Sequence, residues 1–386
     1  MNSKIKKYTT KSGKTLYKFA VYNGKDENTG RSKMERRQGF KDKSSAMKEY
    51  LKISNAIANG TYNSETTGRK KFSEIYELWA TSYAETVKES TYATTVRIMK
   101  NHVLPELGNI YLDKITPLMC QSAVNKWFKQ APKTYKKYIR YASSVFNYAR
   151  RLKMINENPM DSVFRPKVKE TVHKQKYNFY TRNELKTFLH FAKKLGIKPY
   201  TFFFVMSFCG LRRGEMLGLK WSDIDFNKKT LTVNRTASRG LNNRQIIQTP
   251  KTYNSWRVLD LDTNTINVLQ EWQIQQRKEM AIIKLNQDLY VFDGTVKGYP
   301  ANVPMLDTKP NKWDEKISEM AGIRHIRVHD FRHTHASLLF ESGASMQDVK
   351  DRLGHSSIKT TMDIYTHITK SRRKETTKKF SEYMQL

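Results

Sequence analysis

The spacing of apolar side chains changes character along the chain. Between Leu16 and Tyr22 it alternates, with Tyr17, Phe19 and Val21 on one face, the pattern of a half-buried strand. A second run, Met34 to Phe40, is expected to pair back across the turn bracketed by Asn23-Gly24 and Thr29-Gly30. The period then lengthens. Ala46, Tyr50, Ile53 and Ile57 recur at helical spacing, Gly60 offers a stop, and Ser64 to Arg69 reads as a polar linker. From Phe72 the pattern is helical. One helix carries Phe72, Ile75 and Trp79. The next, capped by Ser90, carries Val96 and Met99 and is ended by Leu104-Pro105. A third carries Val124 and Trp127, and a fourth, Pro132 to Lys153, carries Tyr135, Ile139, Ala142, Phe146 and Ala149.

Beyond a basic stretch, Arg165 to Lys176, Thr181 and Glu184 form a capping box that opens a further helix. Phe202 to Phe208 continues as a buried helix. Strands are expected at Thr230 to Thr236, Gln245 to Thr249 and Trp256 to Leu261. Helices follow from Thr263 to Met280 and around Trp313 to Ala321, with the run Tyr290-Val291-Phe292 between them. The expected architecture is mixed and mainly α. A small β-sheet with one helix occupies residues 1–62, a helical domain residues 70–165, and an α+β domain residues 177–386.

Charge narrows the class. Lys and Arg total 70 against 36 Asp and Glu, a formal net charge of +34 in 386 residues. Such a surplus fits a chain that lies along a polyanion, and 21 Tyr with 18 Phe argue against a disordered basic tail. A membrane surface is the competing polyanion. The longest apolar run, Thr201 to Leu211, is too short to span a bilayer, and Lys4-Ile5-Lys6-Lys7 leads into no apolar run of the signal-peptide kind. Cys120 and Cys209 make a poor disulfide framework and point to a reducing compartment; neither has a neighbour at zinc-ligand spacing. A polyanion other than a membrane is therefore the expected partner, and no metal is expected. The second face of the Pro132 to Lys153 helix holds Lys133, Lys136, Lys137, Arg140 and Arg150, charges of one sign suited to phosphate contacts. Lys14 and Lys18, beside the small sheet, are candidates for a sheet lying in a DNA groove.

Candidate chemistry gathers near the C-terminus, from Val328 to His367. His329 and Arg332 are three apart, which places both on one face of a helix. Gly343 and Gly354 offer stops to two short helices; His355 follows the second, and Tyr365 comes later. Cations that hold an anion, imidazoles that move a proton and a phenol oxygen that attacks suit phosphate chemistry. Upstream, Glu215 lies three residues after Arg212, close enough to buttress its guanidinium.

These motifs resemble the tyrosine recombinases, the phage integrase family. The H-x-x-R is His329 and Arg332, the L-G-H is Leu353-Gly354-His355, and the D-I-Y-T-H contains Tyr365. The resemblance implies that Tyr365 is the nucleophile, that Arg212 in Gly210-Leu211-Arg212 is the first catalytic arginine, and that Lys251 in Thr249-Pro250-Lys251-Thr252 is a mobile general acid on a β-hairpin. Gly39 to Ala46 resembles an arm-binding domain, and Leu107 to Pro117 the middle of a core-binding domain. The implied activity is site-specific DNA strand breakage and rejoining through a 3′-phosphotyrosyl link, without metal, ATP or other cofactor, to integrate and excise a mobile element. The implied partners are core and arm attachment sites on double-stranded DNA, three further copies in a tetramer, and a small excision-directing protein. The implied setting is the bacterial cytoplasm.

Other classes compete. His329-Asp330-Phe331-Arg332-His333 has the outline of a zinc-binding H-E-x-x-H helix, but Arg332 would oppose the cation, and His335 is the only further ligand offered. A basic DNA-binding regulator without chemistry explains the charge but not the ordered Arg, Lys, His, Arg, His and Tyr. A relaxing topoisomerase of the tyrosine type shares the chemistry but has less use for a separate N-terminal DNA module.

Overall fold

The computed structural model describes residues 4–10, 13–25, 30–59, 70–168, 178–250, 255–280, 288–295, 301–355, 357–359, 361–362, 381 and 384. Its contacts divide the chain into two compact units, Met1–Thr86 with Thr95–Val168, and Val87–Thr94 with Lys169–Leu386.

The first unit begins with an antiparallel sheet in the order β1 (Ile5–Thr9), β2 (Thr15–Lys25), β3 (Ser32–Phe40), followed by α1 (Lys43–Ala58). Asp42 caps α1, accepting the Ser45 backbone N–H at 2.7 Å. Ala46, Tyr50 and Ile53 of the helix pack with Ile5, Phe19 and Val21 of the sheet. The pattern of residues 16–40 anticipates β2 and β3. It does not anticipate β1, whose lysines hide a strand held by pairing Ile5 to Phe19 and Tyr8 to Leu16.

Next come α2 (Phe72–Ala84), α3 (Glu89–Ile98), α4 (Leu104–Leu107), α5 (Pro117–Gln130) and α6 (Tyr135–Arg151). Two expectations fail here. Ser90 is not the cap of α3, because Thr91 and Tyr92 already donate to the Lys88 carbonyl and Glu89 opens the helix. Nor does Leu104-Pro105 end it. The turn Met99–Val103 widens to π geometry, with Leu104 N–H bonded back to Met99 O, and Pro105 then sits in the first turn of α4. A proline is tolerated there, because its missing N–H is not needed. Val124, Trp127, Tyr135, Ile139, Ala142, Phe146 and Ala149 are buried as their spacing predicts. Trp127 alone, with its indole N–H on the His102 carbonyl at 3.0 Å, contributes about 2–3 kcal/mol of apolar burial.

The second unit contains α7 (Arg182–Leu195), α8 (Ile197–Cys209), α9 (Arg213–Gly218), β4 (Ile224–Asp225), β5 (Thr230–Val233), β6 (Thr236–Arg239), β7 (Gln245–Gln248), β8 (Arg257–Asp260), α10 (Thr263–Met280), α11 (Lys309–Ala321), α12 (Asp330–Glu341) and α13 (Met346–Leu353). The Thr181–Glu184 capping box is formed. The expected strand Thr230 to Thr236 is two strands in different sheets, β4-β5-β8 and β6-β7. Asn234 and Arg235 break it by donating to the buried Asp223 carboxylate at 2.9 and 2.7 Å. Phe208 departs from the expected buried run: it is 37% exposed and stacks on Phe204. An aromatic cluster of Tyr180, Phe188, Phe203 and Phe331 ties α7, α8 and α12 together, with ring centroids 4.8–5.6 Å apart. Phe331 directly precedes Arg332, so the core fixes the helix that presents this arginine.

Candidate active site

The end of α13 organises the site. Ser345 caps its start, and Gly354, at φ 65°, ends it in the left-handed region open to glycine. A helix end leaves carbonyls without intrahelical donors and carries partial negative charge. Here three successive carbonyls each take a different arginine. Arg257 Nε donates to Arg352 O at 2.9 Å, Arg332 Nη2 to Leu353 O at 2.5 Å, and Arg212 Nη2 to Gly354 O at 3.1 Å. His355 follows at once, its Nδ1 2.9 Å from the Thr361 hydroxyl.

One carboxylate links two of these cations. Glu215 accepts from Arg212 Nη1 at 2.7 Å and Arg257 Nη2 at 2.9 Å, and also from the Arg212 backbone N–H at 2.9 Å. Burial alone would push the Glu215 carboxyl up; Arg257, then Arg212 and Arg332, hold it at about 2. Arg332 is almost fully buried and also donates to Gly210 O at 2.7 Å. Burial and the Arg212 charge push the Arg332 guanidinium down from its ordinary value, and Glu215 opposes them. A guanidinium keeps its proton in such a setting. The two carbonyl bonds aim its planar fork and use only part of its donor capacity. Gly210 must be glycine. It sits at φ 64°, and a Cβ there would lie 2.5 Å from the His335 ring and 2.8 Å from Leu353.

His329 precedes α12, in a turn fixed by Arg327, which grips the buried Asp330 carboxylate at 2.9 and 3.0 Å. Its ring meets His333 edge to face at 5.1 Å and keeps one side open to solvent. Partial enclosure, then the nearby His333 and Arg332, push its pKa down to about 4. Burial, then Arg332 and Arg212, push His355 down to about 3. Both imidazoles are neutral at physiological pH. Three guanidiniums against one carboxylate leave the centre cationic, suited to one phosphodiester.

Of the residues singled out in the sequence, Arg212, Glu215, Arg332 and His355 come together, with His329 within electrostatic reach of Arg332. Lys251 and Tyr365 lie outside the described residues. Sequence reasoning gave Arg257 no role. Its signal was positional: along β8, Val258 and Asp260 are exposed, whereas Arg257 shares the inward face with Leu259. His335 is bound at both nitrogens, Nδ1 2.8 Å from Ser207 O and Nε2 3.3 Å from Arg352 Nε. A carbonyl only accepts, so Nδ1 carries the proton and Nε2 accepts from Arg352; neither nitrogen offers a cation a lone pair.

Charge of another kind lies on α6. Lys136, Lys137, Arg140 and Arg165 line an open cleft of about 460 Å³ with Ser144 and Asn147. Arg150 instead faces Asp161 at 3.9 Å, and Lys133 is exposed near the start of the helix. On the open face of the N-terminal sheet Lys18 stands directly opposite Lys6, with its ammonium over the Tyr8 ring, and Lys14 is exposed in the β1–β2 turn.

The chain is similar to known proteins over most of its length. The family model described as Phage integrase family matches residues 178–372, and that described as Phage integrase, N-terminal SAM-like domain matches residues 71–128. A protein of Caldanaerobacter subterraneus subsp. tengcongensis, called Tyrosine recombinase XerC-like, is 30% identical over 93% of this chain and 94% of its own length. The ICEBs1 integrase of Bacillus subtilis is 31% identical over 63% of each chain. Among solved structures, the Tn1549 transposon integrase in complex with a circular intermediate DNA aligns with a TM-score of 0.61 at 19% identity, covering 76% of this chain and 94% of that one. A lambda integrase tetramer bound to a Holliday junction aligns at 0.54 and 16% identity, covering 91% and 95%. At such identities the two structures speak for the fold.

Proposed function

This chain belongs to the phage integrase family, and on that premise we propose how it works as a tyrosine recombinase that breaks and rejoins DNA at specific sites. Arg212 and Arg332 hold the non-bridging oxygens of one phosphodiester and offset the charge that builds in the transition state. The Tyr365 oxygen attacks phosphorus, and the bond to the 5′ oxygen breaks. Lys251 gives that oxygen its proton, and the product is a 3′-phosphotyrosyl ester with a free 5′-hydroxyl. His355 and His329 donate a hydrogen bond to the phosphate or accept the tyrosine proton. The ester conserves the bond, so a 5′-hydroxyl from a second duplex completes strand exchange by the reverse steps. The observation that carries this reading is the convergence of Arg212, Arg332 and His355 on the last turn of α13.

The same reading divides the chain into an arm-binding domain at 1–62, a core-binding domain at 70–165 and a catalytic domain at 177–386. Support for the first is the like-charged pair Lys6 and Lys18, unfavourable across a free sheet face and favourable against phosphates. Support for the second is the basic cleft of α6. In this reading the chain works as a homotetramer on attachment sites in the bacterial cytoplasm, and a small protein directs excision. No helix among the described residues is long and apolar enough to cross a membrane.

The test is a nicked attachment-site duplex that traps cleavage, followed by a denaturing gel. The wild-type chain gives a covalent protein–DNA band, and Tyr365→Phe gives none. A band that persists in Tyr365→Phe removes the nucleophile assignment.

A further inference from the structure

Arg257 is the buried cation to which the reaction above gives no role. Only 7% of its side chain is exposed, and its guanidinium ends on protein acceptors. Its guanidinium spans three acceptors: both oxygens of Glu215, at 2.9 and 3.3 Å, and the Arg352 carbonyl at 2.9 Å, with the Ser255 carbonyl at 3.2 Å completing the fork. These acceptors belong to three separate pieces of the unit: α9, the end of α13, and the approach to its own strand.

A buried guanidinium is costly to desolvate and persists when each face of its fork is matched. What this one matches is the support of the other two. Glu215 holds Arg212, and Arg352 O is the carbonyl before those that hold Arg332 and Arg212. A shift of α13 by a fraction of a turn would move Leu353 O, Gly354 O and His355 together. Arg257 is a bond from β8 that resists such a shift, shorter than the one that Arg352 Nη2 makes to the Asp260 carbonyl at 3.3 Å. It also ties the site to the strand that follows residues 251–254, the segment containing Lys251.

We propose that Arg257 is a positioning residue for strand cleavage, fixing Glu215 and the end of α13 so that Arg212, Arg332 and His355 are presented to the phosphate as one unit. The inference rests on the recombinase reading above and adds a residue that contacts neither DNA nor the reacting atoms. Lysine cannot replace it. An ammonium is a point donor and cannot reach both Glu215 oxygens and the Arg352 carbonyl at once.

The test uses the full chain and the nicked trapping duplex, with protein saturating. Arg257→Lys should bind the duplex within about three-fold of wild type, because no phosphate contact is lost. It should form the covalent product roughly 10- to 100-fold more slowly, the scale of a misplaced catalytic group. In Arg257→Gln the acid limb of the cleavage profile should move to higher pH, since Glu215 keeps its burial and loses one of the three arginines, 257, 212 and 332, that hold its proton off. A merely structural role would not move that limb. If Arg257→Gln does not fold, Arg257→Lys decides alone: folded by its melting curve and slow supports the proposal, and folded and as fast as wild type overturns it. An unmoved acid limb in a folded Arg257→Gln, or a loss of affinity equal to the loss of rate, also overturns it. If the wild-type chain forms no covalent product, the recombinase reading fails instead, so the two failures are distinct.

Discussion

Two sets of positive charge in this molecule are built in opposite ways. In the second unit Arg332 and Arg257 are buried, and with Arg212 each is fastened to a carbonyl or carboxylate. Along α6, Lys136, Lys137 and Arg140 stand on an open cleft wall shared with Ser143, Ser144 and Asn147. The first arrangement restricts each guanidinium to one direction, as stabilising a transition state requires. The second leaves the charges free to follow a phosphate backbone wherever it runs. In the proposed reading, chemistry and grip are separable, because the residues assigned to one are unsuited to the other.

The sharpest way to break that comparison is to remove one fixed arginine. Arg332→Gln should lower single-turnover cleavage by about 100- to 1000-fold, the cost of one lost transition-state donor, while duplex affinity stays within several-fold. Equal losses in rate and affinity would make Arg332 a gripping residue. A smaller but still large effect is expected from the scaffold. Gly210→Ala forces a methyl towards the His335 ring and Leu353 and strains a left-handed backbone. Urea melts should show a loss of about 2–4 kcal/mol, the sum of overpacking and left-handed strain, and an unchanged melt would show that the α8–α12–α13 junction is looser than described.

Much of this was legible in the sequence. Tyr135, Ile139, Ala142, Phe146 and Ala149 announce the buried face of α6, because one packing face dictates their spacing. Arg212 and Glu215 are three residues apart, where local geometry decides that they meet, whereas Arg212 and His355 were marked by motif resemblance and come together only through the fold. Arg257 was opaque because its partners lie on α9 and in the last turn of α13, far along the chain. The π turn at Met99–Val103 was opaque for another reason: nothing in the side chains marks the point where the helix widens to admit Pro105.

A milder effect concerns protons. His335 is pushed down to about 3 by burial and then by Arg352, although the Ser207 carbonyl favours its charged form. The unfolded chain therefore takes up this proton first as pH falls through about 6.5, and stability is lost from there down towards pH 3. Asp314, pushed up to about 8 by burial, works in the opposite sense, so the difference between chains is the informative quantity. Between pH 7 and 5 the melting temperature of His335→Gln should fall less than that of wild type. A parallel fall would show that His335 does not titrate with unfolding.

The measurement closest to the central claim sets Arg212→Gln beside a triple variant, Lys136→Gln with Lys137→Gln and Arg140→Gln. Each is examined for the salt dependence of duplex binding and for the cleavage rate at saturating protein. Separate grip and chemistry predict that Arg212→Gln keeps nearly the wild-type salt slope and loses cleavage roughly 100-fold or more. The triple variant should lose about 0.9 of slope for each phosphate contact removed, and cleave near the wild-type rate once bound. Cleavage lost in the triple variant at saturation, or a slope lowered as much by Arg212→Gln as by the triple variant, would contradict the account.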